Sequence, residues 1–122
     1  MANDFKRFTV PSVNTSVGAS ASAVYTVPAG AGSTALESIV IGITLANKTS
    51  TGVTASVFLD NYTGSNDVYI VKDATIPAGS SLEVMSGNKI VVQGNGSAND
   101  VIRVSSGTAT AVDATISVLE DV

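Results

Sequence analysis

The sequence predicts an all-β domain, an antiparallel β-sandwich of about eight strands with a jelly-roll-like winding. Three observations predict it. First, apolar residues alternate with polar ones over short runs, the two-residue period of a strand with one buried face. Ile39, Ile41, Ile43 and Leu45 form one such set, and Val112, Ala114, Ile116 and Val118 another. Second, the runs are rich in Val, Ile and Thr, whose branched Cβ disfavours helix and suits a pleated surface. Third, turn residues (Gly, Pro, Asn, Ser) recur between the runs at the spacing of a sandwich or barrel. No window carries a helical period.

The chain has 122 residues, which indicates one domain. A domain of this size buries roughly two-thirds of the surface that its unfolded chain exposes, so it needs no disulfide or metal to fold.

Residues 1–15 stand apart as an N-terminal arm or edge strand, and residues 16–122 form the sandwich. Phe5-Lys6-Arg7-Phe8 places two of the three phenylalanines beside two cations. One reading is a first edge strand folded onto the domain. The other is an arm that docks on a neighbouring subunit. Alternation puts Lys6 and Phe8 on one face and Phe5 and Arg7 on the other, poor patterning for a one-sided strand, which tips the expectation towards docking. Phe5, Lys6, Arg7 and Phe8 are therefore candidate interaction residues.

Residues 16–23 carry little pattern. Val24-Tyr25-Thr26-Val27 is a short strand ending at a corner, Pro28-Ala29-Gly30. Leu36 to Leu45 is the strongest strand. After the turn cluster 47–52, Val53, Ala55, Val57 and Leu59 share a face; Phe58 interrupts the opposite, polar face, which implies partial cover there. Val68 to Val71 is the next strand. A second corner, Pro77-Ala78-Gly79, then leads into Leu82 to Met85. There proline presets φ and a glycine two residues on can take φ > 0, so the chain reverses cheaply. Ser86-Gly87-Asn88 reads as a tight turn, Ile90-Val91-Val92 as a short strand apolar on both faces, consistent with a central strand, and 94–99 as a loop. Val101 to Ser105 and Val112 to Leu119 complete the set. The expected core is Ile39, Ile41, Ile43, Val57, Leu59, Ile70, Leu82, Val84, Ile116 and Val118.

The residue inventory narrows function by exclusion. There is no cysteine and no histidine. Thiol chemistry, Cys/His zinc sites and a Ser–His pair are all ruled out. Net charge is −4, which argues against a nucleic-acid partner. Charged residues make up only 13%, about half the usual share, so Ser, Thr, Asn and Gly must supply the polar surface. Such a surface suits packing against neighbours. No apolar run reaches the roughly 18 residues of a transmembrane helix, so no membrane partner is expected. Met1 to Phe8 lacks a signal-peptide core, and export by the general secretory route is not expected.

The loop Asp60 to Asp67 is rich in oxygen ligands for Ca²⁺ but lacks EF-hand spacing, and turns collect the same residues for backbone reasons. Glu37, Asp73 and Glu83 are too dispersed to read as a catalytic carboxylate pair. The Gly-rich stretches match neither a phosphate loop nor a dinucleotide fingerprint. Four Asn-X-Ser/Thr triplets, at Asn14, Asn47, Asn61 and Asn95, are expected by chance in so Ser/Thr-rich a chain. No catalytic residue, metal or cofactor is expected. Among the tyrosines, Tyr25 and Tyr69 lie in strand runs; Tyr62, in the loop, is the surface candidate for stacking on a sugar.

The order of segments resembles small virion proteins of tailed bacteriophages, those of marine cyanophages especially. The likeness runs from Val24-Tyr25-Thr26-Val27-Pro28-Ala29-Gly30 through the long strand ending near Asn47. It continues through Tyr69-Ile70-Val71-Lys72-Asp73-Ala74 and Ile76-Pro77-Ala78-Gly79-Ser80-Ser81-Leu82-Glu83. It closes with Gly87-Asn88-Lys89-Ile90, Asp100-Val101-Ile102-Arg103-Val104 and a last strand near Ile116. Residues 24–119 are covered. Each piece is common; their order is distinctive. The resemblance implies a structural sandwich on a phage head, neck or tail, with no catalytic residues. The expectation is a non-enzymatic virion protein: a capsid decoration or cement protein bridging shell subunits, or alternatively a tail, neck or fibre module, one that could bind host glycans. Its partners would be capsid or other virion proteins and further copies of itself, a trimer if it sits at lattice three-folds.

Overall fold

The computed structural model describes residues 3–28, 36–60, 67–85, 89–94 and 98–121. They form nine strands: β1 (Asn3–Val10), β2 (Ser22–Thr26), β3 (Leu36–Asn47), β4 (Val53–Asp60), β5 (Asp67–Ile76), β6 (Ser81–Glu83), β7 (Ile90–Gly94), β8 (Val101–Ser106) and β9 (Val112–Asp121). No α-helix occurs among the described residues; Gly18–Ser20 make a single 3-10 turn.

Every strand pairing is antiparallel. β1 pairs with β9, β2 with β8, β3 with both β6 and β7, and β4 with β5. These are the rungs of one long ribbon, folded back on itself at β4–β5 and wound up. Two further pairings, β3 with β9 and β4 with β8, then fuse the wound ribbon into sheets of order β1-β9-β3-β6 (with β7 also on β3) and β2-β8-β4-β5. This winding is a jelly roll, an antiparallel sandwich. Nine strands rather than eight result because β6 and β7 divide one rung of the ribbon along β3. Among the named strands β7 pairs with β3 alone, so Ile90–Val92 lie at the sheet margin rather than centrally, and their second apolar face, Val91, is exposed.

The core is one cluster between the sheets, with Tyr25, Ile43, Leu45, Val57, Ile76, Ile102 and Ile116 among its largest members. Of the expected core, Ile43, Val57, Ile116 and Val118 are buried, while Leu59, Ile70, Leu82 and Val84 are half-buried against the same cluster. Ile39 and Ile41 depart from expectation because a β-bulge interrupts β3. Val40 opposes Val118 and Gly42 opposes Ser117, so Ile41 is an extra residue and the inward parity changes there. Ser38 and Val40 are buried on one side of the bulge and Ile43, Leu45 and Asn47 on the other; Ile39 and Ile41 are left half-buried.

The strand expected at 68–71 extends to Ile76, which is fully buried in the core. Its pairing with β4 shifts register twice, once at Lys72–Asp73 and once at Ile70, and Asp73 has φ 52°. The second Pro-Ala-Gly corner is a β-turn: Ser80 N–H donates to Pro77 O at 3.1 Å, and Gly79 has φ 67°. Ala29 and Gly30 of the first corner, the turn 86–88 and residues 95–97 lie outside the described residues.

Asn47 ties two turns together from a buried position. Its Nδ2 donates to Thr51 O at 2.8 Å, Ile76 O at 3.0 Å and Pro77 O at 3.2 Å, while Oδ1 accepts from Thr49 N–H at 2.9 Å. This side chain is fully used in holding the fold, so the triplet that begins at Asn47 is not an open glycosylation acceptor.

Candidate interaction surfaces

Asn3–Val10 are an edge strand of their own domain, paired residue for residue with β9 from Asn3↔Asp121 to Val10↔Ala114 without a register shift. The four candidate residues separate by face. Phe8 turns inward, half-buried against the core, its ring 5.1 Å from that of Tyr25. Lys6 shares that face, its side chain reaching Glu120 while remaining 43% exposed. Phe5 and Arg7 are exposed on the other, Phe5 at 78%. Patterning that looked poor for a one-sided strand is explained by what Lys6 meets inside.

Glu120, on β9, is buried at 3% exposure with two contacts. Its Oε2 accepts from Tyr25 O–H at 2.6 Å, and Oε1 lies 2.9 Å from Lys6 Nζ. Tyr25 Oη also lies 2.8 Å from Ser38 Oγ. One cluster therefore joins β1, β9 and β3 of one sheet to β2 of the other. The hydrogen bond and charge of Glu120 raise the Lys6 ammonium above its ordinary value. Burial, and then the hydrogen bond to Glu120, push the Tyr25 phenol well above its own, so it remains a neutral donor. Glu120 continues the inward parity of Val112, Ala114, Ile116 and Val118, yet composition and spacing alone do not single it out. A carboxylate in line with four core residues is the only signal it leaves.

Across the outer face of the five-stranded sheet, register aligns Phe5 with Leu119, Leu119 with Ile39 and Ile39 with Val91. This apolar row spans four strands. Its ends, Phe5 and Val91, are exposed, and its middle members are half-buried. The residues are far apart in sequence, and only the fold brings them together.

The outer face of the four-stranded sheet carries a groove of about 290 Å³, lined by Val17, Ser56, Tyr69, Lys72, Asp73 and Ser105 among others. Phe58, the residue that breaks the polar face of β4, is 1% exposed and lies under Tyr69, the ring centroids 5.3 Å apart. Lys72 Nζ stands 5.4 Å from the Tyr69 centroid, a cation–π contact. Asp73 N–H donates to Ser56 Oγ at 2.9 Å. The groove thus offers an ammonium, a carboxylate and hydroxyls beside an aromatic edge.

Tyr62 lies outside the described residues, as does most of the oxygen-rich loop; Asp60, at its start, is engaged by Arg103 Nε at 2.9 Å. Glu37, Asp73 and Glu83 sit on β3, β5 and β6 and are not brought together; Glu83 accepts from Thr44 Oγ1 at 3.1 Å. Among the described residues no three His, Cys, Asp or Glu side chains converge on a metal-sized site, and no helix is long and apolar enough to cross a membrane. No protein-family model, curated protein or solved structure matches the chain.

Proposed function

We propose that the chain is a non-enzymatic structural protein of a phage virion, a decoration protein that binds the outside of the capsid lattice and bridges shell subunits. The observation that carries this reading is the apolar row Phe5–Leu119–Ile39–Val91, exposed at both ends on a domain whose surface is otherwise poor in charge. An exposed apolar row beside a free sheet edge marks a surface that packs on protein. The jelly-roll winding and the resemblance of residues 24–119 to virion proteins support the same reading. Fold alone does not assign function, so the row and the copy number must decide it. The test is quantitative mass spectrometry of purified virions. Hundreds of copies per particle support decoration; a dozen or fewer refute it in favour of a neck or tail position.

The groove beside Tyr69 favours a second reading, a tail or fibre module that binds host glycans. Its carboxylate, ammonium and hydroxyls next to an aromatic edge are groups that hydrogen-bond sugar hydroxyls. Retention of the protein on host surface polysaccharide, lost in Tyr69→Ala, would support it. Passage without retention would refute it.

A further inference from the structure

We infer that two copies of the chain associate through β1, antiparallel edge to edge, with Phe5 facing its own copy on the two-fold axis. The inference starts from the edge itself. Among the described residues nothing pairs with the outer side of β1, and its register with β9 is unbroken over all eight residues. An unpaired, unbulged edge is a template for another strand, provided its charges can be matched.

Two-fold symmetry then limits the register. In an isologous antiparallel pair, one residue must lie opposite its own copy, and every other pair follows from that choice. Asp4, Lys6 or Arg7 on the axis would set like charges face to face, which destabilises a cross-strand pair. Phe8 on the axis would place Phe5 against Pro11, past the end of the strand. Phe5 on the axis pairs the two exposed rings and sets Asp4 of each copy opposite Lys6 of the other. Both flanking pairs are then of opposite charge.

The same register also brings a cation to a carboxylate that has none of its own across the strand. Asp4 stands directly opposite Glu120 on β9, exposed to solvent where Glu120 is buried. Lys6 is the nearby cation, and it is ion-paired to Glu120. In the dimer a second Lys6 arrives on the other side of Asp4, so four carboxylates are interleaved with two ammonium groups. On the outer face, the row Val91–Ile39–Leu119–Phe5 continues through the axis into its own copy. The sheet becomes a single surface twice as wide. This contact does not depend on the virion reading, and it closes at two copies, where a lattice three-fold would require three.

The chain has no cysteine, which makes the register directly testable. Residues opposite one another in an antiparallel pair have Cα atoms about 4.5–5.5 Å apart, within disulfide range. Phe5→Cys should cross-link to a covalent dimer under mild oxidation. Arg7→Cys should not, because its two copies would lie roughly 14 Å apart along the strands. Sedimentation velocity of the unmodified chain at tens of micromolar should show a dimer. Asp4→Lys should weaken it about tenfold by turning two attractive pairs repulsive. It should leave thermal unfolding of the monomer intact, since a lysine opposite Glu120 is favourable. A monomer or trimer at that concentration overturns the inference. So does Arg7→Cys cross-linking as readily as Phe5→Cys, or unchanged dimer affinity in Asp4→Lys.

Discussion

β5 and β1 each close a sheet at its margin, but only β5 is bent out of reach of another strand. β5 shifts register twice against β4, and Asp73 holds a left-handed conformation beside the shift, fixed by its N–H on Ser56 Oγ. Bulges of this kind twist an edge away from flat pairing. β2, the other margin of that sheet, also shifts register, between Ala23 and Tyr25. At the far margin of the five-stranded sheet, β6 and β7 are only three and five residues long. β1 has eight residues and no irregularity. Its blunting device is charge alone, Asp4, Lys6 and Arg7, and Lys6 is also fastened from beneath in the cluster with Glu120 and Tyr25. A fold that bends or shortens three of its margins and leaves the fourth unbulged, guarded by charge alone, leaves that margin open to a strand whose charges match it.

The largest expected effect tests what the edges share. Both rest on one core, so Ile43→Ala should cost about 2–5 kcal/mol and lower the hydrogen-exchange protection of β1 and β5 together. Ile41→Ala, at the bulge and half-buried, should cost clearly less by urea denaturation. Equal costs would mean that the bulge does not set the inward face of β3.

The next effect separates the edges. Tyr25→Phe removes a hydrogen bond to a buried carboxylate and should cost about 1.5–3 kcal/mol. Exchange should quicken in residues 3–10 and stay unchanged in 67–76. The same cluster predicts an alkaline limit. The phenol is raised in the folded state and ordinary, near 10, in the unfolded one. Its stabilising contribution is therefore complete below pH of about 10 and is lost as pH rises above that value, because the unfolded chain gives up its proton first. Tyr25→Phe should flatten the fall in thermal midpoint between about pH 10 and 11.5. An identical fall in both proteins would remove Tyr25 as its cause.

These residues also show which parts of the molecule can be read from sequence. The inward set of β9, Val112 to Val118, is legible because β9 runs without a bulge of its own and alternation holds along it. Ile39 and Ile41 mislead because the bulge in β3 is a two-strand event, and Gly42 is its only local sign. Lys6 breaks the local patterning of β1 because its partner, Glu120, is at the opposite end of the chain. The row from Phe5 to Val91 has no local signature at all; it exists only once β1, β9, β3 and β7 are in register. Composition and period thus disclose sheets and faces, whereas sites assembled across strands depend on pairings between distant segments.

A smaller effect falls on the blunted edge. Asp73→Val places a β-branched residue at φ 52°, a conformation that costs an L residue about 1–2 kcal/mol. Asp73→Gly keeps the bend without that cost. If the bulge protects this margin, the valine variant should aggregate faster at equal fractions folded, followed by light scattering, while the glycine variant behaves as the parent does. Equal aggregation of all three would leave β5 without a protective role.

The smallest effect on folding should come from the most conspicuous residue. Phe5 is exposed at 78%, and the ring contact that β1 makes within the domain is that of Phe8 with Tyr25. Truncating an exposed side chain away from special backbone or buried partners changes stability by about 0.5 kcal/mol or less. Phe5→Ala should therefore unfold in urea at nearly the parent midpoint when measured at nanomolar concentration, where association is absent. At tens of micromolar the parent should gain stability with concentration by mass action and the variant should not. A large loss at nanomolar concentration would instead make Phe5 part of the domain's own packing, and β1 would then be an edge no more open than β5.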